Sequence, residues 1–210
     1  MGKILKSSEL SEHKVETLQL YTSKLADYEI FQAIGIIEDI SHGYLATHIP
    51  TNKTVMLKLT DLGLSPDFEL FIEMRDIIAN TKMCKHENIL KYHLSFFDNE
   101  NLWTVCEPMK IGSCRQIMAE QYPEGIPSET VIATILRDVL RAVQYMHEHH
   151  YIHSNIRADN VLIDTSGEVR ICGLHQMIYQ LSEGTLKKSV FKFAGDPEWM
   201  APEVISQVIS

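Results

Sequence analysis

The sequence has few cysteines, no excess of basic residues and no long apolar run. Its 4 cysteines are irregularly spaced and include no C-x-x-C pair, so we expect free thiols and no disulfide framework. The formal net charge of −9 gives no electrostatic reason to bind nucleic acid or an anionic membrane surface. No stretch is long and apolar enough to span a membrane. These absences favour an acidic globular protein of the cytoplasm, with the nucleus as a second compartment.

The order of the predicted elements indicates an α+β fold. Residues of high β propensity predict five strands, at 28–37, 44–48, 54–59, 91–97 and 102–107. A helix is predicted to open at Ser65. A longer helix follows Ser128, a good N-cap, because apolar residues recur at helical spacing up to position 147. Short strands are expected on either side of a turn at 165–167.

The junction between strands and helices lies near Gly112, which predicts two lobes. We expect a polar leader at 1–27 and one domain at 28–210. Within that domain, a lobe made of a sheet and a helix would occupy 28–109. A partial, mainly helical lobe would occupy 110–210.

The segment 151–174, YIHSNIRADNVLIDTSGEVRICGL, carries the most informative pattern in the chain. The catalytic loop of protein kinases has the sequence H-R-D-x-x-x-x-N and is followed by D-F-G. His153 and Asn160 keep their places in this pattern. Asn155 stands where the proton-accepting Asp belongs, and Gly173 stands where the metal-binding Asp belongs. An amide is no useful base at neutral pH and glycine cannot hold Mg²⁺, so both catalytic positions are degenerate.

A second motif, GDPEWMAPEV at 195–204, is similar to the G-T-P-x-W-M-A-P-E-V of sterile-20-type kinases. With it, the chain from 28 to 205 resembles a protein-kinase domain of that type. Within the group it resembles the STRAD-type adaptor pseudokinases. The residues that carry this likeness are Ile34-Gly35, Glu38-Asp39, Leu102-Trp103, Met109, Gly112-Ser113 and the stretch 171–174.

The resemblance implies a bilobal kinase-like fold and a pseudokinase adaptor that binds and allosterically activates a partner serine/threonine kinase. It also implies a helical-repeat scaffold protein as a further partner. The surface used would be the pseudo-active face and the region around Leu174 to Trp199. A full domain of this family continues through several more helices, so the resemblance implies that the chain is C-terminally truncated.

The upper part of the nucleotide site is only partly preserved. Of the phosphate-binding G-x-G-x-x-G, only Gly35 is in register, while Ile37 and Ile40 fill the other two places. These bulky residues cannot take glycine's φ values, so an ordinary strand-turn-strand is the alternative. Lys58 aligns with the lysine that pairs with phosphates, and a solvated strand lysine is its alternative. The glutamate expected to pair with this lysine is replaced by Ile77.

The remaining candidates are Glu107 and Met109, which align with the hinge that holds adenine, and Asn160, which keeps a position near the second metal. The alternatives are a plain connector for the hinge pair and a structural remnant for Asn160. We expect that ATP can bind without phosphotransfer and that Mg²⁺ is not required. Four histidines lack interleaved acidic or thiol ligands, so no metal site is predicted; they are His147, His149, His150 and His153.

Two other functions stay open at this point. A slow sterile-20-type kinase would need Asp159 or Asp164 to take over the work of the missing carboxylates. A non-functional truncated product is the third possibility, in which the apolar face of the long helix stays exposed.

Overall fold

The computed structural model describes residues 20–37, 41–61, 84–99, 101–174, 177–179, 181–182, 185–186 and 197–206. Most of the predicted leader lies outside these residues. So do the helix predicted at Ser65, the glycine-loop position Ile40 and the ion-pair position Ile77.

A five-stranded antiparallel sheet of order β1-β2-β3-β5-β4 forms the upper lobe. Its strands are β1 (Tyr28–Ile37), β2 (Ser41–His48), β3 (Lys53–Asp61), β4 (Tyr92–Asp98) and β5 (Asn101–Cys106). The central strand β3 is buried on both faces, with Val55 and Leu57 on one side and Met56 and Lys58 on the other. The five predicted strands are all present, because β-branched and aromatic residues suit a pleated, buried surface.

Two helices follow the short strand β6 (Gly112–Ser113): α1 (Cys114–Gln121) and α2 (Glu129–Glu148). The predicted start of the long helix is confirmed, since the side chain of Ser128 caps it by accepting from the Val131 amide. One face of α2 is buried, including Val139, Ala142 and Met146. Four other apolar side chains of the helix remain exposed; they are Val131, Ile132, Leu136 and Leu140.

The catalytic-loop region lies under the sheet. It contains β7 (Tyr151–Ile152), β8 (Val161–Ile163) and β9 (Val169–Ile171), and β6, β8 and β9 form a three-stranded sheet. The predicted turn between β8 and β9 closes through a 2.9 Å hydrogen bond from the Gly167 amide to the Asp164 carbonyl. Further along are β10 (Ile178–Tyr179), β11 (Leu181–Ser182), β12 (Thr185–Leu186) and α3 (Pro202–Ser206).

The lobes are joined by main-chain hydrogen bonds between residues 88–90 and β9. The Ile171 amide donates to Asn88 at 2.9 Å, and the Leu90 amide donates to Ile171 at 2.9 Å. The Asn88 side chain adds a third bond, to the Val169 carbonyl at 2.9 Å. One apolar cluster runs from Ile37 in the upper lobe to Met146 in the lower lobe. The predicted α+β, bilobal arrangement is therefore confirmed. No helix in the described part of the chain is long and apolar enough to span a membrane.

Candidate functional site

The catalytic-loop frame is built around His153, which is 2% exposed. The Asn155 amide lies 3.2 Å from His153 Nδ1, and the Cys172 carbonyl lies 2.8 Å from Nε2. A backbone N–H can only donate and a carbonyl can only accept. The proton of the ring is therefore on Nε2, which donates, and Nδ1 is unprotonated and accepts. Ser154 has a φ of 65°, a conformation that costs a non-glycine residue free energy.

The degenerate positions Asn155 and Gly173 meet at Asn160. The Asn160 side-chain Nδ2 donates to the Asn155 carbonyl at 2.8 Å, and the Cys172 amide donates to the Asn160 carbonyl at 2.8 Å. Gly173 has a φ of 83°, and a Cβ built on it would lie 2.6 Å from Asn160 Cγ. The side chain of Asn160 thus fills the space in which a side chain at position 173 would begin.

The polar atoms left in this cluster are amide atoms. Asn160 Oδ1 and Asn155 Nδ2 are buried and lack a hydrogen-bond partner among the residues that the structure describes. They offer one acceptor and one donor, but no negative charge. Within the same described residues no group of three His, Cys, Asp or Glu side chains is placed to hold a metal ion.

The two neighbouring carboxylates are engaged elsewhere. Asp159 pairs with Arg157 at 2.9 Å. Asp164 accepts from the Lys110 amide at 2.9 Å and from the Ser166 amide at 3.3 Å. Burial alone raises the pKa of Asp164, but hydrogen bonds from Lys110 and the 165–166 turn outweigh it and hold the pKa below its usual value. Both side chains have structural roles in turns.

Lys58 lies on the central strand β3 and is 3% exposed. Its Nζ lies 5.5 Å from the centroid of the ring of Tyr92, a buried residue on β4. The alternative of a solvated strand lysine is therefore wrong, because both faces of β3 are covered. A buried ammonium requires polar or aromatic partners, which suits the predicted role without testing it.

The glycine-loop edge is filled by side chains of the chain itself. Gly35 pairs with Gly43 across the β1–β2 hairpin and has a φ of 115°. Ile37, in the place of the second glycine, is 1% exposed and packs in the cluster shared by the lobes. Gln116 of α1 donates to the Ile34 carbonyl at 2.8 Å, and a Cβ on Gly35 would collide with its Nε2.

Of the two predicted hinge residues, Met109 is buried and Glu107 is partly exposed. The Glu107 amide donates to the Lys91 carbonyl at 3.1 Å, and its carboxylate accepts from the Lys91 amide at 2.8 Å. Arg170 Nε lies 3.0 Å from the same carboxylate. Burial raises the pKa of Glu107, and Lys91 and Arg170 offset this only in part. Met109 is 1% exposed, so a nucleobase would use main-chain groups here, as predicted.

Comparison with known proteins decides the family. A model of the protein kinase domain matches residues 28–209. The chain belongs to the protein kinase family. It is 36% identical over 190 residues to the serine/threonine-protein kinase fray2 of Dictyostelium discoideum, covering 90% of this chain and 18% of that protein. It is 31% identical over 200 residues to fray1 of the same organism, covering 92% and 33%.

The kinase domain is also similar to an adapter protein. Identity to the STE20-related kinase adapter protein alpha of Mus musculus is 29% over 199 residues, covering 92% of this chain and 46% of that protein. The predicted resemblance to sterile-20-type kinases and their STRAD-type adaptors is confirmed. The chain spans less than half the length of each of these relatives.

The surface predicted for partner contact needs one correction in this kinase domain. Leu174 is 1% exposed and packs in the core cluster, so it cannot itself contact a partner. Trp199, at the other end of that region, is 45% exposed, and its ring centroid lies 5.6 Å from the Arg157 guanidinium carbon. The catalytic loop therefore supports the exposed indole of the motif that ends in A-P-E.

Two residues of the kinase cleft were not predicted. Arg170 is a lone basic residue in a short strand, and no local pattern indicates its pairing with the hinge. Gln116 has a detectable signal, because Ser113-x-x-Gln116 is a capping-box motif that places the glutamine side chain at a helix N-terminus. Its second contact, with a strand 82 residues earlier, has no such local signal.

Proposed function

We propose that this kinase-family chain is a pseudokinase adaptor that binds a partner serine/threonine kinase and activates it allosterically, together with a helical-repeat scaffold protein. The observation that carries the proposal is the packing of Asn160 against Gly173. A carboxylate side chain in this place, such as the one that holds the metal in a working kinase, would require the Asn160 side chain to move.

Two groups that accelerate phosphotransfer in a working kinase are replaced in this chain. A positioned general base contributes about 100- to 10,000-fold to rate, and Asn155 supplies none. Metal clamping of phosphates contributes several kcal/mol, roughly, and Gly173 supplies no ligand. The nearby carboxylates of Asp159 and Asp164 are tied into turns, so neither replaces these groups. Such a site still presents a surface of defined shape. A partner that binds this surface better in one conformation is shifted toward that conformation.

The contact surface proposed for the partner centres on Trp199. Large aromatic side chains with an adjacent arginine are typical anchors of protein interfaces. The indole is 45% exposed and is positioned by Arg157. The name of the relative from Mus musculus, a kinase adapter, agrees with this role.

The proposal is tested by phosphotransfer measurements on two preparations of the chain. The tagged chain is isolated from cells, and the phosphotransfer that co-purifies with it is measured on a generic protein substrate. We expect Trp199→Ala to remove this activity. Phe97→Ala, which truncates an aromatic side chain of similar exposure (54%) on β4, should retain it. Chain made in bacteria should show no phosphotransfer of its own with Mg²⁺ or Mn²⁺. Activity in the bacterial preparation, or none in the cellular one, would contradict the proposal.

ATP binding without transfer is part of the proposal. Lys58 suits the α- and β-phosphates of a nucleotide, and the main chain of Glu107 and Met109 suits its adenine. Ile37 and Gln116 fill the phosphate end, so the residues fit a nucleotide only in part. A thermal-shift titration with ATP, with and without Mg²⁺, tests this, because a ligand that binds the folded state raises Tm by mass action. We expect any shift to be unchanged by omission of Mg²⁺.

The second candidate is a slow serine/threonine kinase of the sterile-20 group. It is favoured by the 36% identity to fray2 and by the burial of Lys58 at the expected position. A phosphotransfer assay on Lys58→Ala separates the two functions, with the exposed Lys53→Ala of the same strand as control. Turnover that is lost only in Lys58→Ala would favour the enzyme.

A further inference from the structure

One amide group connects the lobes across the mouth of the cleft. Gln116 Nε2 donates to the Ile34 carbonyl of β1 at 2.8 Å. Gln116 Oε1 accepts from the Ser113 amide, at the start of α1, at 3.0 Å. Both polar ends of this side chain are therefore used, one toward the upper lobe and one toward the lower lobe.

Two glycines make room for this amide. Gly35 and Gly112 have φ values of 115° and 102°, which favour glycine. A Cβ on Gly112 would lie 2.5 Å from Gln116 Oε1, and a Cβ on Gly35 would collide with Gln116 Nε2. The backbone of each lobe therefore has a glycine where it approaches the Gln116 side chain most closely.

The capping box fixes the position of the glutamine. Ser113 Oγ accepts from the Gln116 amide at 3.2 Å, while the side chain returns the hydrogen bond to the Ser113 amide. A glutamate would complete the same box, since only an acceptor is needed. A glutamate would lack the donor that reaches Ile34. The amide of glutamine therefore has a use at this position beyond capping the helix.

We infer that Gln116 is a latch that holds the β1–β2 hairpin closed against the lower lobe without any ligand. In kinases this hairpin covers the nucleotide phosphates. Here the latch occupies that edge, so a nucleotide that approaches the Gly35 backbone has to break the Gln116–Ile34 hydrogen bond. The closed shape is a property of the chain itself. This inference concerns the free chain and does not depend on the proposed adaptor role.

Hydrogen–deuterium exchange of the full chain, without nucleotide, tests the latch. Four proteins are compared: the wild type, Gln116→Glu, Gln116→Met and Ser113→Ala. Gln116→Glu keeps the capping acceptor but removes the donor and places a charge beside the Ile34 carbonyl. Gln116→Met keeps the volume between the glycines without hydrogen bonds. Ser113→Ala weakens the cap of α1 and leaves the latch atoms in place.

We expect amides of the β1–β2 hairpin to exchange about 2- to 10-fold faster in both Gln116 variants, as befits the loss of one hydrogen bond. In Ser113→Ala the increase should be confined to α1. Amides of β4 and β5 report whether each variant keeps its fold. Hairpin exchange that stays at the wild-type rate in a folded Gln116→Glu or Gln116→Met protein would overturn the inference. Partner capture by these variants is a separate measurement, so loss of the latch and loss of the adaptor role are distinguishable.

Discussion

Asn160 and Gly173 occupy one space: the side chain of the first lies where the side chain of the second would have to begin. A Cβ at position 173 would approach Asn160 Cγ and Nδ2 to 2.6 Å. The absence of a side chain at position 173 thus lets Asn160 pack directly against the backbone there. Restoring an acid at this position requires Asn160 to move.

Gly173→Ala should be more destabilising than Gly167→Ala. The two glycines have nearly equal φ values, 83° and 84°, but a Cβ at Gly167 meets nothing within 4 Å. The backbone strain, about 1–2 kcal/mol, is therefore common to both. Crowding against Asn160 adds about 1–3 kcal/mol for Gly173 only. Urea denaturation measures both values, and equal losses would show that Asn160 yields without cost.

Gly173→Asp combined with Asn155→Asp should not restore phosphotransfer. The new carboxylate at 173 starts from a backbone conformation and a space that direct it into Asn160. Calorimetric titration with Mn²⁺ and a γ-phosphate transfer assay measure the outcome. Turnover in this double variant would contradict the proposal that shape is the function.

The stability of the upper lobe should fall as the pH is lowered. Burial, with Lys91 and Lys53 nearby, lowers the pKa of His93 to about 4, and burial also lowers the pKa of His48. Between pH 6.5 and about 4 the unfolded chain binds protons that the folded chain does not, so stability is lost as the pH falls through this range. The lowered pKa of His93 alone corresponds to a loss of about 3 kcal/mol in the free energy of unfolding across this pH range.

Unfolding curves at a series of pH values check this slope. We expect His93→Gln to flatten the profile between pH 6.5 and 4. His147→Gln, which alters an exposed residue at the end of α2, should leave it unchanged. An unchanged slope in His93→Gln would assign the pH dependence to other groups.

The ion pair between Glu107 and Arg170 should couple the hinge to β9. Their side chains are 18% and 15% exposed and lie 3.0 Å apart. Glu107→Gln keeps the acceptor for the Lys91 amide and removes the charge. Because burial raises the pKa of Glu107 despite Arg170, the lost attraction is largely offset by the lower cost of burying an amide, and we expect the unfolding free energy to change by less than about 1 kcal/mol. Glu168→Gln alters a second partner of Arg170 that is 61% exposed, and its effect should be under about 0.5 kcal/mol.

A double-mutant cycle with Arg170→Met isolates the coupling. We expect about 1 kcal/mol for the pair with Glu107 and close to zero for the pair with Glu168. Equal couplings would mean that the difference in burial does not decide the strength of these pairs.

The two faces of α2 should respond differently to truncation. Met146 is fully buried, whereas Leu140 is 65% exposed. Met146→Ala is expected to cost about 2–5 kcal/mol because it opens a cavity in the shared core. Leu140→Ala should change the unfolding free energy by no more than about 0.5 kcal/mol in the isolated chain. A large loss for Leu140→Ala would show that its face is covered in solution.

Local signals made much of the fold predictable. β-branched and aromatic residues indicated the five strands of the upper lobe. Ser128 marked the start of α2 because capping depends on residues within one turn. Likewise, His153 and the turn at 165–167 followed from motif spacing, since both are fixed by short-range hydrogen bonds.

Long-range packing accounts for what the sequence did not reveal. Alternation along β3 does not show that both of its faces are covered, so Lys58 could not be placed in the interior. The family resemblance implies a contact region that begins at Leu174, but the side chain of Leu174 packs in the core. The Gln116–Ile34 contact depends on the approach of segments 82 residues apart.

The three bonds that tie residues 88–90 to β9 have a mechanical consequence. They run through main-chain atoms of Asn88, Leu90 and Ile171 and one side-chain amide, so substitutions elsewhere leave them in place. We expect any rigid-body rotation of the sheet relative to the helices to have its axis along this line of hydrogen bonds. Movement of the sheet relative to the helices would then be smallest at this line and largest at the edge of the sheet that lies farthest from it.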